Sequence, residues 1–376
     1  MAGRFPGNRT CAGGVLPRNR TMTALFAFLF AFLPGADSLQ LRIGPAPAYI
    51  ERDAKRQVLN LDLLVQNRYP DTLTLVALKL RVRDRSGRPV LERFVDGNGL
   101  HPSIQTIPDR VVPPGADALF FNPFHQFEAG LPLDTLEFEL HFTRTDGSEV
   151  SVRQGVHPAT GPGTPLLDLP VAERLLVYDG HDYYAHHRRF QADDPRIRAF
   201  GLKGNFMRFS YDFLVVDAQG AGQPSGASPD SMRSWFGFGV TVRAAAAGEV
   251  IAVSDTALDD RSFNVDDLHR SALALYGNYV AVRHRDGSVA LYGHLRQGSA
   301  RVRKGDRIST GTPIAAVGAS GSALMPHLHF ELRTGTGHEA EGLPSTFRNF
   351  RRLQGSRVIR EKEGLVDSGE LVQAVR

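Results

Sequence analysis

The sequence predicts a protein built mostly of β-strands and arranged as two domains. Short runs of alternating apolar and polar residues recur along the 376 residues, and Gly, Pro and Asp-Gly turn signals separate them. Long amphipathic helical patterns are absent from the sequence after about residue 166. The length suits two domains of ordinary size, and an apolar content of 42% with a charged content of 22% is that of a globular protein.

The first 38 residues have the layout of a secretory signal peptide. Four arginines precede an apolar run at residues 24–33, and small residues stand at positions −3 and −1 of a cleavage site after Ser38. The run is too short to span a bilayer, and the start lies at Met1 or at Met22. We therefore expect an exported protein, periplasmic or extracellular, with no transmembrane segment after cleavage. Cleavage removes Cys11, so the mature chain has neither a disulfide nor a thiol nucleophile.

Residues 39–161 predict an accessory domain with the pattern of an immunoglobulin-like β-sandwich. The runs at residues 58–65, 73–80 and 135–143 alternate as half-buried strands, and residues 84–89 predict a turn. No constellation of catalytic residues stands out in this part of the sequence.

A second strand-rich domain covers residues 162–350. A linker rich in Pro, Gly and Thr precedes it at residues 158–165. Residues 279–284 and 289–294 flank an Asp-Gly turn and predict a β-hairpin. The remaining residues, 351–376, form a polar C-terminal tail to which the sequence assigns no element.

The chain is mildly basic, with a formal net charge of +4. Most of its 44 basic residues are arginines, whose guanidinium groups bind carboxylates and phosphates in a bidentate way. Such a surface suits an anionic polymer, although the base composition of a GC-rich genome explains the same excess. The charge forms no basic run, so nucleic-acid binding is not expected.

The segment PHLHFE at residues 326–331 is the first candidate for chemistry. Residues i and i+2 of a strand point to the same face, so His327 and His329 face one way, away from the core. Two imidazoles held on a rigid strand can act as a metal ligand and a neighbouring acid–base group. Two unrelated surface histidines on an edge strand are the alternative interpretation.

Three further positions offer metal-binding or proton-transferring groups. Asp212 stands among bulky apolar residues, where a carboxylate is costly to bury unless it is paired or coordinated. A salt bridge to an arginine is the alternative. His294 ends the second hairpin strand, where a hydrogen-bonded terminal histidine is the alternative. His186 and His187 are adjacent, so on an extended chain only one of them reaches a shared site.

These residues together provide two imidazoles and a carboxylate for a metal, with further imidazoles to spare. Three protein ligands and one open position are the arrangement of a catalytic zinc ion and not of a structural one. Zinc lowers the pKa of its bound water to about 7 and polarises a scissile carbonyl. A neighbouring histidine can accept a proton from water and deliver one to a leaving amine. A chain without a thiol fits this chemistry.

Five motifs give the C-terminal domain a family resemblance. In chain order they are GNYV at residues 277–280, YGHL at 292–295, VRKGD at 302–306, GASG at 318–321 and PHLHFE at 326–331. Their order resembles that of the lysostaphin-like zinc metallopeptidases, the LytM-type or duplicated-hybrid-motif enzymes. The resemblance covers roughly residues 178–350, less than half of the chain. It implies an antiparallel β domain with a groove across one sheet, a Zn²⁺ ion, and cleavage of peptide bonds in bacterial peptidoglycan.

The resemblance also implies roles for single residues. His329 corresponds to a zinc ligand, and Asp212 corresponds to the aspartate ligand. His294 and His327 correspond to the catalytic pair that handles water and oxyanion. The chain departs from the common pattern four residues before the aspartate, where Arg208 stands in the place of a ligand histidine.

A subset of the family carries a His-His-Arg-Arg segment well upstream of the aspartate, and residues 186–189 resemble it. The resemblance to this subset implies that His187 is the third zinc ligand, with His186 as the close alternative.

Two functions are compatible with these residues. The first is a secreted, cell-wall-associated zinc endopeptidase that acts on peptidoglycan peptides. The second is a catalytically inactive scaffold of the same fold, which binds the cell wall or activates an amidase. Degenerate members lose ligands and catalytic histidines, whereas His294, His327, His329 and Asp212 are present here, which favours the enzyme. From its order in the chain, the N-terminal domain is expected to position or occlude the groove.

Overall fold

A computed structural model describes residues 38–375 of the chain. The apolar run of the predicted signal peptide and Cys11 therefore lie outside the described residues. Within residues 38–375 the chain is mostly β and its strands pair almost entirely antiparallel, so the predicted mostly β fold class is confirmed. None of the helices in this part is long and apolar enough to cross a membrane.

The N-terminal domain (residues 39–161) consists of three small sheets. Its strands are β1 (Leu39–Gly44), β2 (Tyr49–Arg52), β3 (Arg56–Leu59), β4 (Asp62–Asn67), β5 (Leu73–Arg83), β6 (Pro89–Asp96), β7 (Val111–Val112), β8 (Asp117–Phe121), β9 (Gln126–Glu128), β10 (Thr135–Arg144), β11 (Glu149–Val156) and β12 (Ala159–Thr160). The strand orders are β1-β4-β8, β11-β10-β5-β6 with β7 beside β5, and β12-β2-β3-β9. The immunoglobulin-like topology stays a prediction.

Strands β5 and β10 carry the core of this domain. They pair antiparallel over nearly their full length, and every second side chain of β10 from Leu136 to Phe142 is fully buried. The buried leucines of β5 lie in the same apolar core. The alternation predicted for residues 73–80 and 135–143 is therefore confirmed, and the turn predicted at residues 84–89 joins β5 to β6.

The single strand predicted at residues 58–65 is wrong. The chain ends β3 and begins β4 inside this run, and the two strands belong to different sheets. Asn60 between them is buried, and its side-chain amide donates to the carbonyl oxygens of Arg208 (3.0 Å) and His181 (3.4 Å). The alternating pattern does not reveal the break, because these hydrogen-bond partners lie in the second domain.

The C-terminal domain is built on one large sheet. Its strands, with the separate pair β15 and β20, are β13 (Arg174–Asp179), β14 (Tyr211–Val215), β15 (Thr241–Arg243), β16 (Gly248–Ser254), β17 (Tyr279–Arg283), β18 (Val289–Gly293), β19 (Arg307–Ile308), β20 (Pro313–Ala316), β21 (Leu328–Arg333), β22 (Gly342–Leu343), β23 (Phe347–Gln354), β24 (Arg357–Gly364) and β25 (Leu371–Ala374). The sheet order is β19-β16-β17-β18-β21-β14-β13-β25-β23-β24, with β22 beside β21.

Helices are few and short in the described residues. The α-helix is α1 (Pro195–Arg198), and the 3₁₀ helices are Ser103–Thr106, Met232–Ser234, Val265–His269 and Ala272–Tyr276. The predicted hairpin is confirmed, since β17 and β18 pair antiparallel across the Asp-Gly turn.

The two faces of the large sheet differ in chemistry at β21. The leucine and phenylalanine side chains of this strand lie in the main apolar core of the domain. The alternating residues His329, Glu331 and Arg333 are buried on the opposite face. A smaller apolar cluster that includes Leu291 and Tyr276 packs on that face. Polar groups on β21 are therefore buried within a largely apolar surrounding.

The structure corrects the boundary predicted between the second domain and a C-terminal tail. The boundary after residue 350 falls inside β23, and β24 and β25 extend the same sheet. Phe347, Phe350 and Val372 lie in the main core, whereas the charged side chains of β24 are mostly exposed at the end of the sheet. The polar composition of this segment therefore reflects an edge hairpin and not an unstructured tail.

The two domains contact each other within one compact unit. Residues 51–62 and 121–125 of the N-terminal domain meet residues 181–208 of the C-terminal domain through hydrogen bonds, ion pairs and ring contacts. This contact includes the loop that carries His186 and His187.

Candidate metal centre

Asp212 of β14 and His329 of β21 face each other in neighbouring antiparallel strands. The two residues are directly paired in register, which places their side chains on the same face of the sheet. Nδ1 of His329 lies 3.0 Å from Oδ1 of Asp212, and both side chains are buried. The ladder of the sheet therefore fixes two of the predicted ligands relative to each other.

His187 reaches the same point from a loop. Residues 180–194, between β13 and α1, contain no helix or strand, yet His187 is buried and its Nε2 lies 3.6 Å from Oδ1 of Asp212. Ligand atoms of His187, Asp212 and His329 all lie within 4.8 Å of one another. Two imidazole nitrogens and a carboxylate oxygen are ligand types that zinc uses in proteins, so these residues fit a zinc ion.

His186, the alternative ligand, lies outside this group. Its side chain is 63% exposed, against 2% for the side chain of His187. Its Nδ1 lies 2.9 Å from Oδ2 of Asp179, so it groups with Asp179 and His187 at the surface end of the centre. The structure therefore brings His187, and not His186, to Asp212.

Asp179, the last residue of β13, supports the loop. Its carboxylate accepts hydrogen bonds from the backbone N–H groups of His186 and His187, each at 3.2 Å. Its Oδ2 also lies 2.9 Å from Nδ1 of His187, although this contact is not aligned as a hydrogen bond. A carboxylate at one imidazole nitrogen orients the ring to present the other nitrogen. Asp179 was not predicted from the sequence, because nothing local distinguishes it from other polar residues at strand ends.

Glu331 lies behind His329 on the same strand face. Its Oε2 is 3.5 Å from Nε2 of His329. The carboxylate is fully buried and accepts hydrogen bonds from Ser210 (2.6 Å), Tyr276 (2.9 Å) and Arg333 (3.0 Å). Glu331 was not predicted as a site residue either, although its i+2 spacing from His329 places it on the same face of the strand.

The charges around Asp212 favour a cation. Burial alone would raise the pKa of Asp212, but the imidazoles of His327 and His187 outweigh burial and hold this pKa well below its usual range. Within the described residues the ion-pair contacts of Asp212 all go to imidazoles, so the predicted alternative of an arginine salt bridge is wrong. A buried carboxylate that stays ionised among histidines has the chemistry that a metal ligand needs.

The two ligand imidazoles differ in how they titrate. Burial lowers the pKa of His187, which favours the neutral ring that a metal ligand needs. Burial also acts to lower the pKa of His329, but hydrogen bonds to Asp212 and Glu331 outweigh burial and raise it to about 9. A metal ion competes with that proton, because a ligand nitrogen must be deprotonated.

His294 and His327 lie side by side next to the ligand group, with ring centroids 4.8 Å apart. Their Nδ1 atoms donate to the carbonyl oxygens of Ser320 and Met325, each at 2.8 Å. Because a carbonyl only accepts, each neutral ring keeps its lone pair on Nε2. Nε2 of His327 lies 3.3 Å from Oδ1 of Asp212. Burial and the neighbouring imidazoles lower the pKa of His294 well below its ordinary value. The pair can therefore accept and return protons beside the ligands.

The glycine-rich motifs hold the end of the hairpin that carries His294. Side chains of Asn278 and Ser320 donate to the carbonyl of Leu295 at 3.1 Å and 2.8 Å. Gly277 has a φ of +61°, and a Cβ atom there would lie 2.4 Å from the backbone nitrogen of Gly321. A residue with a side chain therefore does not fit, and the two loops pack backbone against backbone.

Arg208 points away from the ligand group. Its Nη1 donates to Oδ2 of Asp62 at 2.5 Å, and Oδ1 of the same carboxylate accepts a hydrogen bond from Arg188 at 2.6 Å. Asp62 belongs to the N-terminal domain. The position at which the resembled family has a ligand histidine thus serves the contact between the domains, and His187 is the imidazole that meets Asp212.

Over short segments the chain is similar in sequence to known proteins. The chain is similar to the cell division protein DipM of Caulobacter vibrioides (40% identity over 58 residues, 15% of this chain and 9% of that protein). It is similar to the murein hydrolase activator EnvC of Escherichia coli (45% over 58 residues, 15% and 13%) and to the peptidoglycan DD-endopeptidase ShyC of Vibrio cholerae (38% over 55 residues, 15% and 12%). The chain thus spans only 9–13% of the length of these relatives.

Residues 236–341 match the sequence profile described as Peptidase family M23. The matched segment includes His294, His327 and His329, whereas His187 and Asp212 precede it. The motifs of this segment lie on β17, β18 and β21 and on the loops that pack against them. The chain therefore contains a domain of peptidase family M23.

Proposed function

We propose that this protein is an exported zinc endopeptidase that hydrolyses peptide bonds of bacterial peptidoglycan. The observation that carries the proposal is the buried group of His187, Asp212 and His329, with His294 and His327 beside it, in a chain with an M23 domain. A non-catalytic domain has no need of ionisable groups buried at this density, since each is costly to desolvate.

The three ligand residues suit zinc in its catalytic form. Zinc held by three protein ligands keeps a position open for water or substrate. When bound, it lowers the pKa of water to about 7 and polarises a carbonyl group. The ionised carboxylate of Asp212 supplies negative charge, and Asp179 and Glu331 orient the two ligand imidazoles.

His294 and His327 supply the proton transfers of peptide hydrolysis in this proposal. Nε2 of His327 faces the ligand group, 3.3 Å from Oδ1 of Asp212, where it can take a proton from the attacking water and return one to the leaving amine. The neighbouring imidazole of His294 keeps a lone pair on Nε2, so it can accept a proton beside His327. Burial makes each of these interactions stronger than it would be in water.

The substrate and the location rest on different observations. Peptidoglycan is supported by two relatives, whose names are a murein hydrolase activator and a peptidoglycan DD-endopeptidase. Export is supported by the sequence of residues 1–38, with its arginines, apolar run and small residues. The two agree, because peptidoglycan lies outside the cytoplasm.

Digestion of purified peptidoglycan tests the proposed activity. We expect the wild-type protein to bind near-stoichiometric zinc and to release peptide-cleaved fragments, and His327→Ala to lower the rate about 10²–10⁴-fold, the usual contribution of an acid–base group. Zinc content should stay near the wild-type value, because His327 is not among the ligands. His101→Ala, at an exposed histidine of the N-terminal domain, is the matched control and should digest normally. Equal products from wild type and His327→Ala would contradict an enzymatic role.

A second candidate is a scaffold that activates another cell-wall hydrolase. The similarity to EnvC, which is named as a murein hydrolase activator, favours it. The complete set of ligands and paired histidines favours the enzyme. If the protein is an activator, the wild type and His327→Ala would stimulate an added amidase equally well. Neither form would digest peptidoglycan alone. Such a result would establish the scaffold in place of the peptidase.

A further inference from the structure

The ligand group has one member that no sheet ladder fixes. Asp212 and His329 are paired residues of neighbouring strands, whereas His187 lies in the loop of residues 180–194. Loops sample more conformations than strands do, because fewer backbone hydrogen bonds restrain them. A preformed metal centre therefore requires contacts that hold this loop in place.

The N-terminal domain supplies contacts along the first half of this loop. They join Glu51 to His181 (2.8 Å), the ring of His125 to that of Tyr183 (4.9 Å between centroids), and Asp62 to Arg188 (2.6 Å). The last contact involves the residue that directly follows the ligand His187.

The side chain of Arg188 is anchored in the N-terminal domain. The residue is 1% exposed. Its Nη1 donates to Oδ1 of Asp62 at 2.6 Å, and its Nη2 donates to the carbonyl of Leu61 at 2.8 Å. Its guanidinium carbon lies 5.5 Å from the ring centre of Phe121. A buried guanidinium is costly without a carboxylate partner, so Asp62 determines where this side chain lies.

Asp62 itself is held rigidly. It begins β4, the central strand of the sheet β1-β4-β8, and is paired with Gly44 and Phe121. Its second oxygen accepts a hydrogen bond from Arg208 at 2.5 Å. Consecutive Cα atoms are about 3.8 Å apart, so a shift of Arg188 moves the neighbouring ligand with it. A fixed strand of one domain thus restrains the ligand loop of the other.

We propose that Asp62 is a positioning residue of the metal centre, which holds Arg188 and thereby keeps His187 beside Asp212. The N-terminal domain is then a structural part of the centre and not only a cover over the groove. This inference rests on the proposed function, because the role it assigns is toward zinc. Asp179 holds the backbone N–H of His187 from within the C-terminal domain, and Asp62 holds Arg188 from the other domain.

The zinc affinity of the full chain, measured by competition with a chromophoric chelator, tests the proposal. We expect Asp62→Asn to raise the zinc Kd about 10–100-fold, as the loss of outer partners of metal ligands does. Asp367→Asn is the matched control. It makes the same chemical change at a carboxylate that also pairs with an arginine across the domain contact, Arg56 at 2.6 Å. Its zinc Kd should equal that of the wild type.

A double variant tests whether the effect passes through Arg188. If Asp62 acts by holding this side chain, Asp62→Asn combined with Arg188→Met binds zinc no more weakly than Arg188→Met alone. Additive losses in the double variant would overturn the proposed route. Arg208→Met removes the other arginine on the same carboxylate and should raise the zinc Kd less than Arg188→Met does, since Arg208 does not adjoin a loop ligand.

Thermal unfolding of the zinc-free proteins shows whether each variant folds. If Asp62→Asn does not fold, Arg188→Lys answers the same question, because it keeps the charge and loses the two-pronged contact. An unchanged Kd in the folded Asp62 or Arg188 variant, or equal weakening in Asp367→Asn, would overturn the positioning role. A wild-type protein that binds zinc and digests no peptidoglycan would refute the proposed function and leave the positioning role standing.

Discussion

At the scale of single residues, the surroundings of His186 and His187 place only one of these two adjacent imidazoles at the candidate metal centre. Both imidazoles contact the carboxylate of Asp179 at 2.9 Å. Only His187 continues inward to Asp212, while His186 turns to the surface. The same carboxylate raises the pKa of the more exposed His186, whereas burial lowers the pKa of His187. These opposite pKa shifts favour the neutral imidazole, with a lone pair for a metal, at His187 over His186.

Separate alanine variants of the two histidines test this selection. We expect His187→Ala to weaken zinc binding more than about 100-fold, since even outer partners of a ligand are worth about 10–100-fold. His186→Ala should bind zinc nearly as the wild type does, because its ring lies outside the ligand group. The measurement is zinc content after dialysis, followed by chelator competition. A loss in His186→Ala as large as that in His187→Ala would contradict the assignment.

At the scale of elements, local alternation in the sequence predicts which segments form strands and which side chains share a face. The spacing of His327 and His329 correctly predicted that both imidazoles lie on the same side, where both contact Asp212. The Asp-Gly turn correctly predicted the hairpin that ends at His294. Alternation failed at residues 58–65, because Asn60 interrupts the strand to bond the other domain. Periodicity reports whether a segment can be a strand. It does not report which sheet the strand joins.

The close contact at Gly277 belongs to this scale, and it gives a prediction about stability. Gly277 has a φ of +61°, and Gly277→Ala places a Cβ atom 2.4 Å from the nitrogen of Gly321. Steric overlap and backbone strain therefore both destabilise the folded state. We expect a loss of more than about 2 kcal/mol in the free energy of unfolding. Gly287→Ala is the matched control at a positive φ with open space around it, and it should cost only about 1–2 kcal/mol. Urea unfolding of both variants measures the difference, and equal losses would contradict the overlap argument.

At the scale of the whole molecule, the third ligand is the part of the centre that local sequence could not assign. Residue-level reasoning left His186 and His187 open, because the choice depends on contacts between distant segments. Asp179 at the end of β13 and Asp62 in the other domain hold the loop, and neither carries a local signal of that role. From its order along the chain, the N-terminal domain was predicted to position or to occlude the groove. The contacts of Asp62 and Arg188 favour positioning, through two buried arginines that share one carboxylate.

The same contact between domains predicts how stability depends on pH. Glu51 and His181 form a buried pair across it, with Oε2 and Nε2 2.8 Å apart. Burial lowers the pKa of His181, but the Glu51 carboxylate outweighs burial, with smaller effects of Asp367 and Asp182, and raises this pKa above its ordinary 6.5. A histidine with a raised pKa in the folded state contributes stability that is complete below about pH 6.5 and is lost as the pH rises through the folded-state value.

Glu51→Gln removes this contribution and isolates it from other titrating groups. We expect the wild type to be more stable than the variant near pH 6, and the difference to shrink towards pH 9, by about 1.4 kcal/mol for each unit by which the pKa is raised. Glu139→Gln is the control, because the carboxylate of Glu139 lies 3.2 Å from a more exposed histidine within one domain, His141. Its stability should follow the wild-type curve, since exposed pairs contribute little. Parallel curves for wild type and Glu51→Gln across this range, measured by urea unfolding, would show that the pair does not couple the domains.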